Sequence, residues 1–166
     1  GGFYRSEFNI VAARPSLGKT SLALNIANAV SPRTGILMIS LETTRKSVAR
    51  DRLIPMTTNI ISTKMRNPSR LDADDWNKLA TASDKFSEYS DFRVCDQSSM
   101  SISDIELLVA QECRADGHGI DFLIIDYLQL IRMPGNAKRW EKISEISNRL
   151  KALIKEHELF SLVLAQ

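Results

Sequence analysis

Residues 8–21, FNIVAARPSLGKTS, constrain the fold of this chain more than any other stretch. The segment opens with apolar, β-prone residues (Phe8, Ile10, Val11), crosses Arg14, Pro15, Ser16 and Leu17, and ends in Gly18-Lys19-Thr20. A helical pattern, SLALNIANAV, follows at once from Ser21. Strand, tight loop, Gly-Lys-Thr and helix in that order is the context in which a phosphate-binding loop forms. A helix N-terminus leaves backbone N–H groups unpaired and carries a partial positive charge. A loop wrapped in front of it makes a cradle for an anion. On this reading Ala13, Arg14, Pro15, Ser16, Leu17, Gly18, Lys19, Thr20 and Ser21 form the cradle. Lys19 reaches the β- and γ-phosphates of ATP, and the Thr20 hydroxyl ligates Mg²⁺.

One position departs from the pattern G-x-x-x-x-G-K-[ST], whose first glycine falls on Ala13. A small side chain serves there if its backbone stays out of the region that only glycine tolerates.

The chain has 166 residues, 43% hydrophobic and 25% charged, which suits one α/β domain. A net charge of +2 carries no global basic signature for nucleic acid, so any such contact must come from local clusters. Cys95 and Cys113 fit neither a metal motif nor a disulfide framework and read as reduced, partly buried thiols. No stretch approaches the roughly 20 apolar residues of a membrane-spanning helix, and no signal peptide is visible, so no membrane role and a cytoplasmic location are expected. The chain begins almost on the phosphate-loop strand and stops on SLVLAQ, an apolar strand pattern. Both features lead us to expect a piece of a longer protein.

Along the chain, Leu22, Ile26 and Ala29 recur at helical spacing, and Ser31-Pro32 ends that helix. Ile36–Ser40 is a continuous apolar run of the kind buried in parallel sheets. Glu42 lies just past its carboxyl end, the edge at which open α/β sheets bind ligands. Two readings of Glu42 stand side by side: a catalytic acid, or a first-turn acid favoured by the helix dipole. The following helix is expected to start at Thr43 or Thr44 and run to about Pro55. A further helix is expected from Asp72, a plausible N-cap, to about Ser87, burying Trp76, Leu79 and Phe86. Phe92–Asp96 reads as a strand. The next helix starts at Ser101 or Ser103, with Ser103-Asp104-Ile105-Glu106 fitting a capping box, and Asp116–Gly119 ends it. His118, in that turn, is assigned no chemistry.

Phe122–Ile125 is a buried strand with Asp126 at its end. Downstream of a phosphate loop, this is the Walker B position, whose acid holds Mg²⁺ or its water. The loop Arg132–Trp140 carries Arg132, Lys138 and Arg139. Basic side chains beside an aromatic suit single-stranded nucleic acid; a solvated loop has the same composition. Trp140–Glu156 is an amphipathic helix burying Ile143, Ile146, Leu150, Leu153 and Ile154. Phe160–Leu164 is the last strand, and Gln166 falls at its carboxyl end. The alternation predicts five parallel strands with helices on both faces, and it gathers Lys19, Glu42, Asp126 and Gln166 at one edge. The residue after Asp126 is Tyr127 rather than the glutamate many P-loop ATPases place there, which leaves Glu42 as the best-placed base.

VAARPSLGKTSLALNIA, the SLE of Ser40–Glu42, LIIDYLQL, EISNRLKALIKE and the terminal LAQ together resemble the C-terminal motor domain of DnaB-type replicative helicases. That family already carries Ala at the first glycine place. The resemblance implies a RecA-like P-loop NTPase fold, a homo-hexameric ring, and ATP hydrolysis that drives translocation on single-stranded DNA and duplex unwinding. It makes Lys19 and Thr20 the nucleotide and magnesium residues, Glu42 the catalytic glutamate, Asp126 the Walker B acid, and Gln166 the γ-phosphate sensor. It turns the Arg132–Trp140 loop toward the central channel. It also implies contacts with a primase and a helicase loader through parts outside the chain. The arginine finger and main DNA-binding loop would lie past Gln166, so residues 1–166 alone are expected to be weakly active. Two rival readings are another RecA-like ATPase (a recombinase, RadA-like or KaiC-like protein) and a nucleotide-binding assembly module that does not hydrolyse.

Overall fold

The apolar runs of the sequence form the centre of one sheet. The computed structural model describes residues 2–30, 34–88, 92–114, 119–135 and 138–166. Five strands, β1 (Ile10–Ala12), β2 (Ile36–Ser40), β3 (Phe92–Cys95), β4 (Phe122–Asp126) and β5 (Phe160–Ala165), pair in the order β1-β5-β4-β2-β3. All four pairings are parallel, as expected. β2 and β4 are buried along their whole length because each has a strand on either side and helices above and below.

Alternate residues of these strands feed two cores. Leu37, Ile39, Leu123, Ile125 and Val163 pack with α6 (Ile102–Cys113) and α7 (Arg139–Glu156) on one face. Ile36, Met38, Phe122, Ile124, Leu162 and Leu164 pack on the other face with Ala23, Leu24 and Ala27 of α1 (Lys19–Val30), and with Val48. The period-2 alternation of a strand therefore builds a layer on each side of the sheet.

Several helices differ from expectation. On α1, Ala23, Leu24 and Ala27 face the sheet, whereas Leu22 is 47% exposed and Ala29 is exposed. Nearly every position of this helix is apolar or small, so periodicity cannot choose a face; the geometry of the preceding loop does. Thr44 caps α2 (Arg45–Val48), accepting from the Ser47 amide at 3.3 Å. The helix does not stop at Pro55. It continues through a π-turn (Ala49–Leu53) into α3 (Ile54–Thr58) and closes at Asn59 with φ 58°. The wider turn accommodates the proline ring, which would collide with a carbonyl of a regular α-turn.

A short α4 (Ser62–Met65) and a 3₁₀ turn (Pro68–Arg70) lead to α5 (Ala73–Glu88). Asp72 caps it as expected: the Asp75 amide donates to Asp72 Oδ1 at 2.9 Å, and the Asp72 amide donates to Asp75 Oδ2 at 3.2 Å. Of the expected stripe, Trp76 is the residue that departs. Asp75 and Ala82 are buried and Leu79 is half-buried, while Trp76 is 54% exposed. The reciprocal cap turns Asp75 inward, where Lys64 meets it at 2.6 Å, and the next residue is carried about 100° around the helix. The side chain of Phe86 lies outside the described set, as do Ser31, Pro32, Asp116, Gly117, His118, Asn136 and Ala137.

Ser101, not Ser103, caps α6, in a box with Asp104. Ser103 and Glu106 instead receive the guanidinium of Arg149 from α7. Ile146, Leu150, Leu153 and Ile154 of α7 are buried and Ile143 is half-buried, as its periodicity predicts. Trp140 is 66% exposed. Cys95 and Cys113 are free and partly buried. No described helix is long and apolar enough to cross a membrane.

Candidate nucleotide site at the carboxyl edge of the sheet

Parallel pairing sends every strand's carboxyl end to the same edge. Ala12 is in register with Ala165, and Ser40 with Asp126. The residues that follow these strands, Ala13–Ser21 after β1, Glu42 after β2 and Gln166 after β5, therefore share one edge with Asp126 at the tip of β4.

The loop is built by backbone conformation. Ser16 (φ 65°) and Gly18 (φ 85°) take the left-handed turns, and Ala13 is not among the positive-φ residues. This is why alanine is accepted where the general pattern has glycine: the strain sits at Ser16 and Gly18. A Cβ built on Gly18 meets no atom within 4 Å, so conformation rather than crowding calls for glycine there. The loop starts from the sheet through the Ala13 amide, which donates to Ala165 O at 3.3 Å. It ends where the Leu22 amide makes the bond to Gly18 O at 2.9 Å that starts α1. The amides ahead of Leu22 have no partner within the helix and point out of its N-terminus.

Lys19 is only 9% exposed, and its ammonium donates to Ala13 O at 2.5 Å and Arg14 O at 3.2 Å. Two loop carbonyls thus hold the amine under the loop. The Thr20 hydroxyl donates to Asp126 Oδ2 at 2.7 Å, joining the loop to the end of β4. Asp126 is 2% exposed, and its carbonyl accepts from the Leu41 amide at 2.8 Å. The Asp126–Tyr127 peptide is cis.

Glu42 is exposed in a turn that its neighbours fix. The Ser40 hydroxyl donates to Thr43 O at 2.6 Å, and the Arg45 amide donates to Asp96 Oδ2 at 2.8 Å. The turn is thereby pinned both to its own strand and to the loop after β3. Gln166 is held by a residue that motif reading passes over. Gln129, in the 3₁₀ turn Leu128–Leu130 after β4, donates through Nε2 to Gln166 O at 2.8 Å and accepts from the Gln166 amide at 3.2 Å. Its signal in the sequence is faint: one polar side chain in the apolar run YLQLI. Arg52 is a second residue passed over; its guanidinium donates to the Ser21 hydroxyl.

The basic segment after β4 is partly separate from the loop expected there. Arg132 is exposed but its backbone is fixed, with its amide on Met100 O at 2.9 Å and its carbonyl receiving the Ile102 amide at 3.1 Å. Lys138 is exposed just ahead of α7, and its amide donates to Glu141 Oε2 at 2.9 Å. Arg139 is the first residue of α7 rather than a loop residue. Glu141 supplies the acid that starts a helix at that point. An open groove of about 680 Å³ is lined by Ser99, Ser101, Asp104, Arg132, Met133 and Lys142, among others.

Comparison with known proteins gives one answer. The DnaB-like helicase C terminal domain matches residues 1–166. The replicative DNA helicase DnaB of Geobacillus stearothermophilus is 38% identical over 171 residues, and that of Haemophilus influenzae 34% over 168 residues. Each alignment covers 99% of this chain and 36% of the relative, so the chain spans about a third of the length of these proteins. Among solved structures, a DnaB-like replicative helicase described with its primase interactions superposes with a TM-score of 0.90 at 31% identity, over 99% of this chain and 40% of the other. A second solved structure, of an ATPase domain, gives a TM-score of 0.90 at 32% identity, over 99% of this chain and 58% of the other.

Proposed function

Since the chain belongs to the DnaB-like helicase C terminal domain family, we propose that it is part of the RecA-like motor of a replicative DNA helicase. The motor hydrolyses ATP and couples hydrolysis to movement along single-stranded DNA. The observation that carries this reading is the 2.7 Å contact between Thr20 and Asp126, which joins a phosphate cradle to a buried strand-end acid.

A hydroxyl and a carboxylate in contact are the hard oxygen donors that Mg²⁺ takes, and two protein oxygens with phosphate and water completing the shell suit that ion. When bound, Mg²⁺ neutralises charge on the phosphates. The chain's own groups do the rest. The free amides of the loop and the Lys19 ammonium hold the triphosphate. Glu42 orients and deprotonates the attacking water, since Tyr127 occupies the place next to Asp126. Gln166 contacts the γ-phosphate and passes its loss to what it touches. Arg132 and Lys138, with Lys142 beside them, face DNA phosphates; Arg139 does so from the first turn of α7. The assembly is a cytoplasmic hexameric ring in which the site is completed by a neighbour, and primase and a loader meet it elsewhere in the longer protein.

The test is single-turnover hydrolysis with the assembled protein. Lys19→Ala abolishes nucleotide binding or nearly so. Glu42→Gln retains binding and lowers turnover by about 10²–10⁴-fold, the usual worth of a positioned base. Normal hydrolysis by Glu42→Gln removes Glu42 from the mechanism, and normal binding by Lys19→Ala removes the phosphate-loop reading.

A further inference from the structure

The turn after β2 is tied down at three main-chain groups, and the ties come from both sides of the strand. The Leu41 amide donates to Asp126 O at 2.8 Å, on the β4 side. The Ser40 hydroxyl donates to Thr43 O at 2.6 Å, within the turn. The Arg45 amide donates to Asp96 Oδ2 at 2.8 Å, on the β3 side and 51 residues away in sequence. Ile39 is in register with Cys95, and Ser40 with Asp126, so Asp96 and Asp126 flank the end of β2. Glu42 lies in the turn between them. It is exposed, and among the described residues no hydrogen bond or ion pair is made to its carboxylate. Its direction is therefore set by the main chain that carries it.

Asp96 is suited to hold that main chain because its own loop is anchored at the far end. The Arg132 amide donates to Met100 O at 2.9 Å, the Ile102 amide donates to Arg132 O at 3.1 Å, and Met100 is buried. Arg45 is the first residue of α2, so its amide is one of the donors a helix leaves unpaired. The ordinary N-cap is already supplied by Thr44, which accepts from the Ser47 amide. The carboxylate of Asp96 is thus not the group that starts the helix; it fixes where the start lies relative to β3. Without it, the side of the turn opposite Asp126 loses its only tie to a neighbouring strand among the described residues.

We propose that Asp96 is a positioning residue for ATP hydrolysis, acting through the Arg45 amide on the turn that carries Glu42 and not on the nucleotide. The inference rests on the reading of Glu42 as the base that orients the attacking water.

The experiment measures single-turnover hydrolysis, mant-ATP affinity and melting temperature for the assembled protein. The variants are Asp96→Ala, Asp96→Asn, Arg45→Pro and Glu42→Gln, with Asp96→Ala also combined with each of the last two. Asp96→Ala slows hydrolysis about tenfold, the order of effect that a displaced reacting group produces, and leaves affinity unchanged. Asp96→Asn still offers an oxygen to the amide and recovers most of the rate. Arg45→Pro removes the donor instead of the acceptor. Proline suits the first position of a helix, and Thr44 (φ −67°, ψ 149°) already has the extended backbone required ahead of one. It reproduces the loss, and Asp96→Ala adds nothing to it. Asp96→Ala likewise costs nothing more in the Glu42→Gln protein. The proposal is overturned by a full rate in Asp96→Ala or Arg45→Pro, by an equal loss in Asp96→Asn, or by a fall in affinity in place of rate. A further loss in either combined variant overturns it, as does a lower melting temperature with the rate intact. If Asp96→Ala does not fold, Arg45→Pro and Asp96→Asn decide. Normal hydrolysis by Glu42→Gln removes the reading of Glu42 and this proposal with it, whereas a slow Glu42→Gln beside a fast Asp96→Ala removes the proposal alone.

Discussion

The side chain of Gln129 grips the main chain of Gln166 at both its donor and its acceptor: Nε2 reaches Gln166 O at 2.8 Å, and Oε1 receives the Gln166 amide at 3.2 Å. An amide side chain pairing with a peptide group in this way substitutes for a strand neighbour where β5 has run past the end of β4. It fixes the backbone from which the Gln166 side chain projects. If Gln166 contacts the γ-phosphate as proposed, Gln129→Ala is expected to lower kcat of the assembled protein's ATP hydrolysis roughly tenfold, because small misplacement of a group near the reacting phosphate is costly. Nucleotide affinity should stay near wild type. A fall in affinity with kcat preserved would show that Gln129 serves the binding of nucleotide and not the placing of Gln166.

Asp126→Asn keeps the shape of the buried carboxylate and removes its charge. It can still accept from Thr20, so the fold should survive. The expected outcome is a shift of the Mg²⁺ dependence of hydrolysis to higher concentration, with lower maximal turnover. An unaltered Mg²⁺ dependence in a metal titration would exclude Asp126 from the ion's surroundings.

Gly35→Ala tests the packing that carries the chain into β2. A Cβ at this position would lie 2.3 Å from the Gly119 carbonyl oxygen and 3.2 Å from Gly119 C, both backbone atoms. The Gly35 carbonyl also accepts from the amides of Asp121 (2.8 Å) and Phe122 (3.0 Å), so neither strand entry can move aside easily. Overpacking of this kind costs about 1–3 kcal/mol. Urea denaturation should show the loss as a lower midpoint with an unchanged slope.

Asp51, between Arg50 and Arg66, sets an acid-dependent contribution to stability. The hydrogen bond from Arg50 above all, with Arg66 adding to it, holds the Asp51 carboxyl well below its usual 3.8. A group whose folded-state pKa is depressed binds its proton more readily in the unfolded chain. Its contribution is therefore complete above about 3.8 and is lost as pH falls below that value toward the folded pKa. Asp51→Asn should lower stability at neutral pH and flatten the decline of melting temperature below about pH 4 relative to wild type. Parallel acid limbs for the two proteins would contradict the assignment.

The sheet, and the gathering of the candidate site residues at one of its edges, are legible in the sequence because they rest on local signals. Ile36–Ser40 and Phe122–Asp126 are continuous apolar runs that only doubly covered strands support, and Gly18-Lys19-Thr20 demands a loop ahead of a helix. What escaped was relational. A helix apolar nearly all round does not show which stripe of α1 is buried, and Trp76 is turned outward because Asp75, a charged residue, takes the inward position through its cap and Lys64. Ser101 and Ser103 offer equal capping chemistry, and the choice between them depends on Arg149, 46 residues from Ser103 in sequence. Gln129 and Arg52 have no motif at all. Each gains meaning from a residue that only the folded chain brings near.

The position of β5 between β1 and β4 has a consequence for how the molecule is made. Among the described residues β1 has a single strand neighbour, β5, and the Asn9 amide that precedes it bonds to Ser161, 152 residues away. β2, β3 and β4 can zip together once Asp126 has left the ribosome, but the phosphate loop then still hangs from an unpaired strand. Closing so long a chain loop delays contacts that depend on it. The loop over Ala13–Ser21, translated ahead of β2, β3 and β4, is therefore expected to close after them, once β5 is in place.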